Sequence, residues 1–383
     1  MKLSARNKLD GTVTSITKGE AIANVAIDVG GQRLVASITV EAVDELGLAE
    51  GTAVTAVVGS SRLAQSAVRP APAAGTIQTV LGPASPETLG PTLMHEHLLV
   101  DFVGADRVGR HRYDANEVFT RVLPFLEQAR ALGLHTLVEC TPAWLGRDAE
   151  LLRRLARNSG IAIVTNTGYY GAADDKFVPP HARTESAEQL AARWIAEARD
   201  GIDGTGIRPG FMKIGVDAGP LSAIDAKLVR AAALTHAATG LRIHSHTGDG
   251  VAAVAQLDLL QSLDLPAGAF VWVHAQNEKD AAVHVAAARR GAWVEFDGVS
   301  DESLDEHAAM VLHMRTQGLL GRVLVSQDAG WFHVGEPNGG SFRPFTTMFE
   351  RFLPMLRERG LSAAEKRQLM IDNPRQVLVP ANP

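Results

Sequence analysis

From Thr76 onward, eight short apolar runs alternate with long amphipathic stretches, and that alternation leaves few folds open. The runs cover residues 92–100, 135–139, 161–166, 210–214, 241–246, 270–274, 293–297 and 323–327. Between them, Val118, Val122, Phe125, Leu126 and Ala129 keep one helix face, as do Leu151, Leu152 and Leu155. Asp148 and Ser222 suit helix N-caps, where a side-chain oxygen accepts from an otherwise unpaired N–H. Eight strand–helix units over residues 76–383 predict an α/β fold, a (β/α)8 TIM barrel, which needs ~250 residues plus insertions. A doubly wound sheet is the second choice. No G-x-G-x-x-G follows a strand and no Walker loop occurs, which counts against it.

Residues 1–66 have a different period. Val25, Ile27 and Val29 alternate with Ala26 and Asp28, 34–39 is a second strand, and Gly30-Gly31 between them marks a hairpin. Residues 41–48 read as a helical turn and 54–58 as a last strand. Small apolar side chains in so short a segment make a thin core, one that leans on an oligomer or a neighbouring domain. The Ala/Pro-rich stretch AVRPAPAAG, 67–75, is a linker, so the domains are 1–66 and 76–383.

The charge balance, 37 Lys+Arg against 43 Asp+Glu, is mildly acidic and without a basic run, so nucleic acid and anionic membrane surfaces are not expected partners. The one cysteine, Cys140, excludes a disulfide scaffold and a thiolate metal cluster. It reads as a packing residue. No apolar run reaches the ~18 residues of a spanning helix. The opening MKLSARNKLDG has no apolar signal core. A cytoplasmic protein is the expectation.

Barrel enzymes carry their chemistry at the C-terminal strand ends. The first run closes on His95-Glu96-His97, the fourth holds Lys213, the fifth ends His244-Ser245-His246, the sixth ends at His274, and Asp328 follows the eighth. His95 and His97, two apart on a strand, project to one side and suit a divalent metal. His244 shares the parity of His246, and spacing alone does not separate them. An ammonium at Lys213 beside metals is unfavourable. It must deprotonate, pair with Asp217 or Glu139, or react with carbon dioxide to give an anionic carbamate. Tyr169 and Tyr170 follow the third run and are candidate pocket residues. The loop after Asp328, with Trp331, Phe332, His333, Asn338 and two glycines, suits a mobile lid, and Trp331 a pocket wall. Arg147 and Arg343 read as structural ion pairs.

TVLGPASPETLGPTLMHEHL, ECTPAWLGRDAELL and LMIDNPRQVL resemble the opening, the second strand and helix, and the closing helix of the phosphotriesterase family, in its lactonase-like branch of the amidohydrolase superfamily. The resemblance implies a binuclear centre with two divalent ions (zinc first, manganese or cobalt next). His95, His97 and Asp328 would hold the inner ion and His246 and His274 the outer one. Lys213, as a carbamate, would bridge them together with a hydroxide. The family's His-Thr matches His246-Thr247. Asp328 would be the catalytic proton acceptor.

MKLSARNKLDGTV, the GGQ hairpin and ITVEAVDELGLAEGTAVTAVV resemble the Mop/TOBE family of small all-β, OB-like domains, some of which bind molybdate. Ser4 and Arg6 match its binding segment, and Ser60 and Ser61 are the nearby hydroxyls. Ala42 and Gly59 stand where the family often has Ser and Lys, which favours a structural or oligomerising role.

Three functions compete. The first is a metal-dependent hydrolase of a lactone, carboxylic ester or organophosphate. A second is an amide hydrolase using the same hydroxide. The third is an oxyanion sensor or store on an inactive barrel.

Overall fold

The computed structural model describes residues 8–19, 22–57 and 75–381. Contacts divide the chain into two compact units, Met1–Pro70 and Ala71–Pro383.

In the first unit, β1 (Lys8–Lys18), β2 (Ile22–Val29), β3 (Gln32–Thr39) and β4 (Ala53–Val57) form one antiparallel sheet in the order β3-β2-β1-β4. Gly30 and Gly31 turn the β2–β3 hairpin with left-handed backbone that a side chain would strain. A short helix α1 (Val40–Glu45) follows, its start held by Thr39, whose hydroxyl accepts from the Ala42 N–H at 3.1 Å. Among the described residues a small apolar cluster buries Val13, Ala23, Val25, Ile27 and Val43. The long first strand is the element the apolar pattern does not locate. Ser4, Arg6, Ser60 and Ser61 lie outside the described residues.

The second unit opens on a small hairpin, β5 (Ile77–Thr79) and β6 (Gly82–Ala84). The barrel strands then follow: β7 (Thr92–Val100), β8 (Thr136–Glu139), β9 (Ala162–Val164) continued as β10 (Asn166–Thr167), β11 (Phe211–Val216), β12 (Ile243–Thr247), β13 (Phe270–Val273), β14 (Trp293–Phe296) and β15 (Val323–Val325). All successive pairs are parallel. The third run breaks at Thr165, whose carbonyl accepts from Gly210 at 2.8 Å instead of joining a regular strand. The last turn meets the first strand where the Asp328 N–H donates to the His95 carbonyl at 3.0 Å.

Most helices between the strands start on side-chain caps. Asp114 caps α2 (Ala115–Ala131) and Asp148 caps α3 (Ala149–Ser159). After a short α4 (Pro180–Thr184), Ser186 with Gln189 closes a capping box on α5 (Ala187–Asp200), and Ser222 with Asp225 one on α6 (Ala223–Thr239). Asp249 and Asp280 cap α7 (Gly250–Ser262) and α8 (Ala281–Arg290). The ring continues through α9 (Leu304–Thr316), α10 (Leu353–Glu358), α11 (Ala363–Arg367) and α12 (Asn373–Leu378). Each such cap contributes about 1 kcal/mol by satisfying a terminal N–H. Val118, Val122, Leu126 and Ala129 of α2 are buried in the main core, as the helical period requires. Among the described residues no helix is long and apolar enough to cross a membrane.

One expectation fails at the mouth. The loop after Asp328 is not a free lid along its first half. Gly330–His333 forms β16, paired in parallel with β7, with Gly330 opposite His97 and His333 opposite Val100. A Cβ at Gly330 would lie 1.9 Å from the His97 carbonyl oxygen, so glycine alone allows this approach.

Candidate metal centre

The C-terminal strand ends bring four histidines together. His95 and His97 face each other with Nε2 atoms 3.2 Å apart. The His95 ring centre lies 4.9 Å from that of His274, which lies 4.4 Å from that of His246. The Asp328 Oδ1 is 3.2 Å from His97 Nε2 and 3.8 Å from His95 Nε2. Two sets of donor atoms converge tightly enough for one ion each: His95, His97 and Asp328, and His95, His274 and Asp297. These are nitrogen and carboxylate donors of the kind zinc, manganese and cobalt take. Asp328 Oδ1 and His95 Nδ1 are buried, and the polar atoms they face belong to the same cluster, His97 Nε2 at 3.2 Å and Asp297 at 3.3 Å. The residues therefore fit a metal centre.

Burial drives the protonation states. It pushes the His95 imidazole down to about 3, with Lys213 adding to the shift. His97, His244 and His246 move the same way, first by burial and then by neighbouring charges that include Lys213. Neutral imidazoles are what metals bind. Burial pushes the Asp328 carboxyl up, but the His97 hydrogen bond and the histidine charges outweigh it and hold Asp328 below the usual carboxylate range.

Two carboxylates not picked out from the sequence organise the site. Asp297, just past β14, accepts from His274 Nδ1 at 2.7 Å, from the His274 N–H at 2.9 Å and from Gln276 at 2.7 Å. It also sits 3.3 Å from His95 Nδ1. It therefore holds the rings of both His274 and His95 through their Nδ1 sides. Glu96, between the two histidines of the first strand, accepts from the Ser326 hydroxyl at 2.8 Å and from the Gln327 and Ala329 N–H groups at 3.1 and 2.7 Å. It clamps both sides of the turn that carries Asp328. His97 is fixed in turn by Thr141, 2.8 Å from its Nδ1.

The backbone is strained where these ligand candidates sit. His274, Asp328 and Trp331 all have left-handed φ, at 61°, 49° and 77°. Such residues cost on the order of 1–3 kcal/mol each and persist when the surroundings hold them.

Lys213 is buried on β11, and Lys213 and His244 are paired in the β11–β12 register. Neither alternative partner takes it: Asp217 accepts the Ala173 and Asp174 N–H groups, and Glu139 accepts the Thr141 hydroxyl and the Leu98 N–H. The register also separates the fifth-strand histidines. His246 lies opposite Gly215, one layer nearer the mouth, and reaches His274. His244 is fully buried on Phe211, ring centres 4.5 Å apart, with neither nitrogen partnered.

The two tyrosines part ways. The Tyr170 hydroxyl lies 3.0 Å from His246 Nδ1, inside the cluster. Tyr169 turns away, 3.0 Å from His181 Nε2, into an aromatic cavity of about 660 Å³ with Trp144. None of the candidate metal ligands lines that cavity. Trp331 donates its indole N–H to the Asp328 carbonyl at 2.8 Å and packs 4.8 Å from His97. Phe102, unassigned from the sequence, stacks on Trp331 at 5.5 Å, and His333 lies 5.6 Å from Phe102. These rings form an aromatic cluster beside His97.

Arg147 forms the expected ion pair, with Glu197 at 2.7 Å. Arg343 does not pair with an acid. It donates to the carbonyls of Gln327, Asp328 and Val299, tying down the Asp328 turn. Cys140 is buried, its thiol pushed well up by burial and directed at the Met94 carbonyl.

The phosphotriesterase family profile matches residues 75–378. This chain belongs to the phosphotriesterase family. As such it is a metal-dependent hydrolase, in a family of binuclear metal enzymes. A TOBE domain profile matches residues 3–65. The phosphotriesterase homology protein of Escherichia coli is 31% identical over 291 residues, covering 75% of this chain and 97% of that protein. The N-acetyltaurine hydrolase of Tetraodon nigroviridis is 25% identical, covering 79% and 98%. Among solved structures, a mutant of a PTE-like lactonase from Deinococcus radiodurans superposes with TM-score 0.70 at 27% identity, covering 79% and 100%.

Proposed function

We propose that the chain is a binuclear metallohydrolase that opens carboxylic esters, lactones foremost, with organophosphate esters as side substrates. The observation that carries this is the convergence of His95, His97 and Asp328 with His274 at the C-terminal strand ends. Likeness to a PTE-like lactonase favours the lactone.

In this reading His95, His97 and Asp328 hold one ion, and His246 and His274 the other. Lys213 would be a further ligand as a carbamate, which its amine would form by adding to carbon dioxide with release of a proton. Divalent ions bound there supply an activated water and polarise the substrate oxygen. Asp328, ionised at neutral pH, takes the water's proton and passes it toward the leaving group. The Tyr170 hydroxyl offers a hydrogen bond to the substrate beside His246. Trp331, Phe102 and His333 exclude water from the acyl portion.

The N-terminal unit serves assembly of a homo-oligomer in this reading, because Ala42 brings no hydroxyl for an oxyanion and the core is small.

The test is elemental analysis of protein purified without chelator, followed by a panel of lactones, aryl esters, phosphotriesters and N-acyl amides. About two divalent ions per chain and chelator-sensitive lactone hydrolysis are expected. Activity confined to N-acyl amides moves the assignment to an amidase. Molybdenum with an empty barrel overturns it in favour of an oxyanion sensor.

A further inference from the structure

We propose that the barrel end opposite the metal centre carries a second binding site, for the dianionic phosphate group of a small soluble molecule, built by Arg242, Arg322 and Arg375. Arg242 directly precedes β12, Trp293 opens β14 and Arg322 directly precedes β15, so all three stand at N-terminal strand ends. Arg375 comes from α12. Together with Pro266, Gln376 and Pro380 they line a cavity of about 580 Å³. That volume suits a small ligand.

The charge distribution is what points to an anion. The described lining holds three guanidiniums and no carboxylate. All three are half-buried. Among the described residues none of them forms an ion pair with an acid. Elsewhere on this chain other half-buried arginines do pair, as Arg147 does with Glu197 and Arg315 with Glu365. Arg242 Nε is buried and unpartnered. Burial and the adjacent Arg322 both act against the charge of Arg242. Arg375 acts on the exposed Glu87, which is hydrogen-bonded to Ser85 and is not in the lining. Like charges gathered with nothing to offset them are costly, and a dianion between them removes that cost.

The cavity is also rigid. The Arg322 guanidinium lies over the buried Trp293 ring, 5.0 Å from its centre. Arg375 spends Nε on the Pro86 carbonyl at 2.9 Å. Forks held this way have already lost their rotamer freedom, and planar guanidiniums match phosphate oxygens two at a time.

The experiment is calorimetric titration of the full-length, metal-loaded protein with inorganic phosphate, in chloride buffer of constant ionic strength. Wild type is compared with Arg242→Gln and Arg322→Gln. Any binding at the metal centre is common to all three proteins. The expected result is a phosphate isotherm in wild type that each substitution weakens about tenfold, the loss for one charge-assisted contact. Hydrogen exchange adds a map, with phosphate protecting amides around 242, 293, 322 and 375. Ester hydrolysis stays at the wild-type rate in both variants. Should Arg322→Gln misfold through loss of the Trp293 stacking, Arg242→Gln alone decides. Phosphate affinity equal in wild type and Arg242→Gln, or protection only at the metal centre, overturns the proposal.

Discussion

Glu96 holds the backbone N–H of Ala329 at 2.7 Å, and through it fixes the turn that aims Asp328 at His97. The contact spans the closure of the barrel. Replacing Glu96 with Ala leaves the N–H groups of Gln327 and Ala329 without their acceptor. Metal affinity is expected to fall about 10–100-fold, the usual cost of losing a group that orients a ligand. Metal content after dialysis at graded chelator concentrations measures it. Wild-type retention in the variant contradicts the role given to Glu96.

Asp328→Asn and Lys213→Ala are each expected to lower kcat/KM by at least about two orders of magnitude. They differ in a second readout. Asp328→Asn keeps one metal-facing oxygen, whereas Lys213→Ala removes the further ligand and is expected to lose metal as well. Near wild-type turnover in either variant removes that residue from the mechanism.

Asp297→Asn retains an acceptor for His274 but loses the negative charge that both His274 and His95 face. Both ions are expected to loosen together, by about tenfold each. Loss of one ion with the other unchanged would restrict Asp297 to a single ring.

Trp331→Ala is expected to raise KM for apolar lactones about tenfold with metal content intact, because the indole lies beside His97 without entering the donor set. An unchanged KM together with a fallen kcat would mean that the ring acts through Asp328 instead.

Three buried histidines are expected to withdraw stability on mild acidification. Burial pushes His236, His284 and His307 below the ordinary histidine value of 6.5. The unfolded chain therefore takes protons first as pH falls. Their contribution is fully present above about pH 6.5 and declines as pH falls through the folded values. Burial pushes Glu96 up to about 8 and Glu139 to about 7, which acts in the opposite sense over the same window, so the check is a comparison: between about pH 7.5 and about pH 5 the urea midpoint should fall less, or rise more, in His236→Gln than in wild type, and an equal change refutes the sign.

Much of this is legible in the residue order, and the gaps have physical causes. The ligand candidates stand out because parity puts His95 and His97 on one side and the remaining candidates lie within or just after later strands. Glu96 and Asp297 do not stand out. What a carboxylate does depends on the group it meets across the barrel, and Glu96 meets a turn more than 200 residues away. His244 and His246 share parity, and only the register against β11 assigns their layers. In the N-terminal unit, β1 reads KLDGTVTSITK, with polar side chains and a glycine between its apolar positions, so its pairing with β2 and β4 rather than an apolar run makes it a strand.

Tyr169 and Tyr170 are neighbours in the chain, yet one serves the metal cluster and the other a separate chamber. The turn before them is pinned at Gly168, where a Cβ would lie 2.4 Å from the Lys213 carbonyl oxygen. One residue inserted after that glycine would carry Tyr169 into the place of Tyr170 and leave the newcomer in the place of Tyr169. Substrate range in such a barrel can therefore drift by slippage of a loop, a route that a comparison of aligned columns would record as a gap rather than as a change of residue.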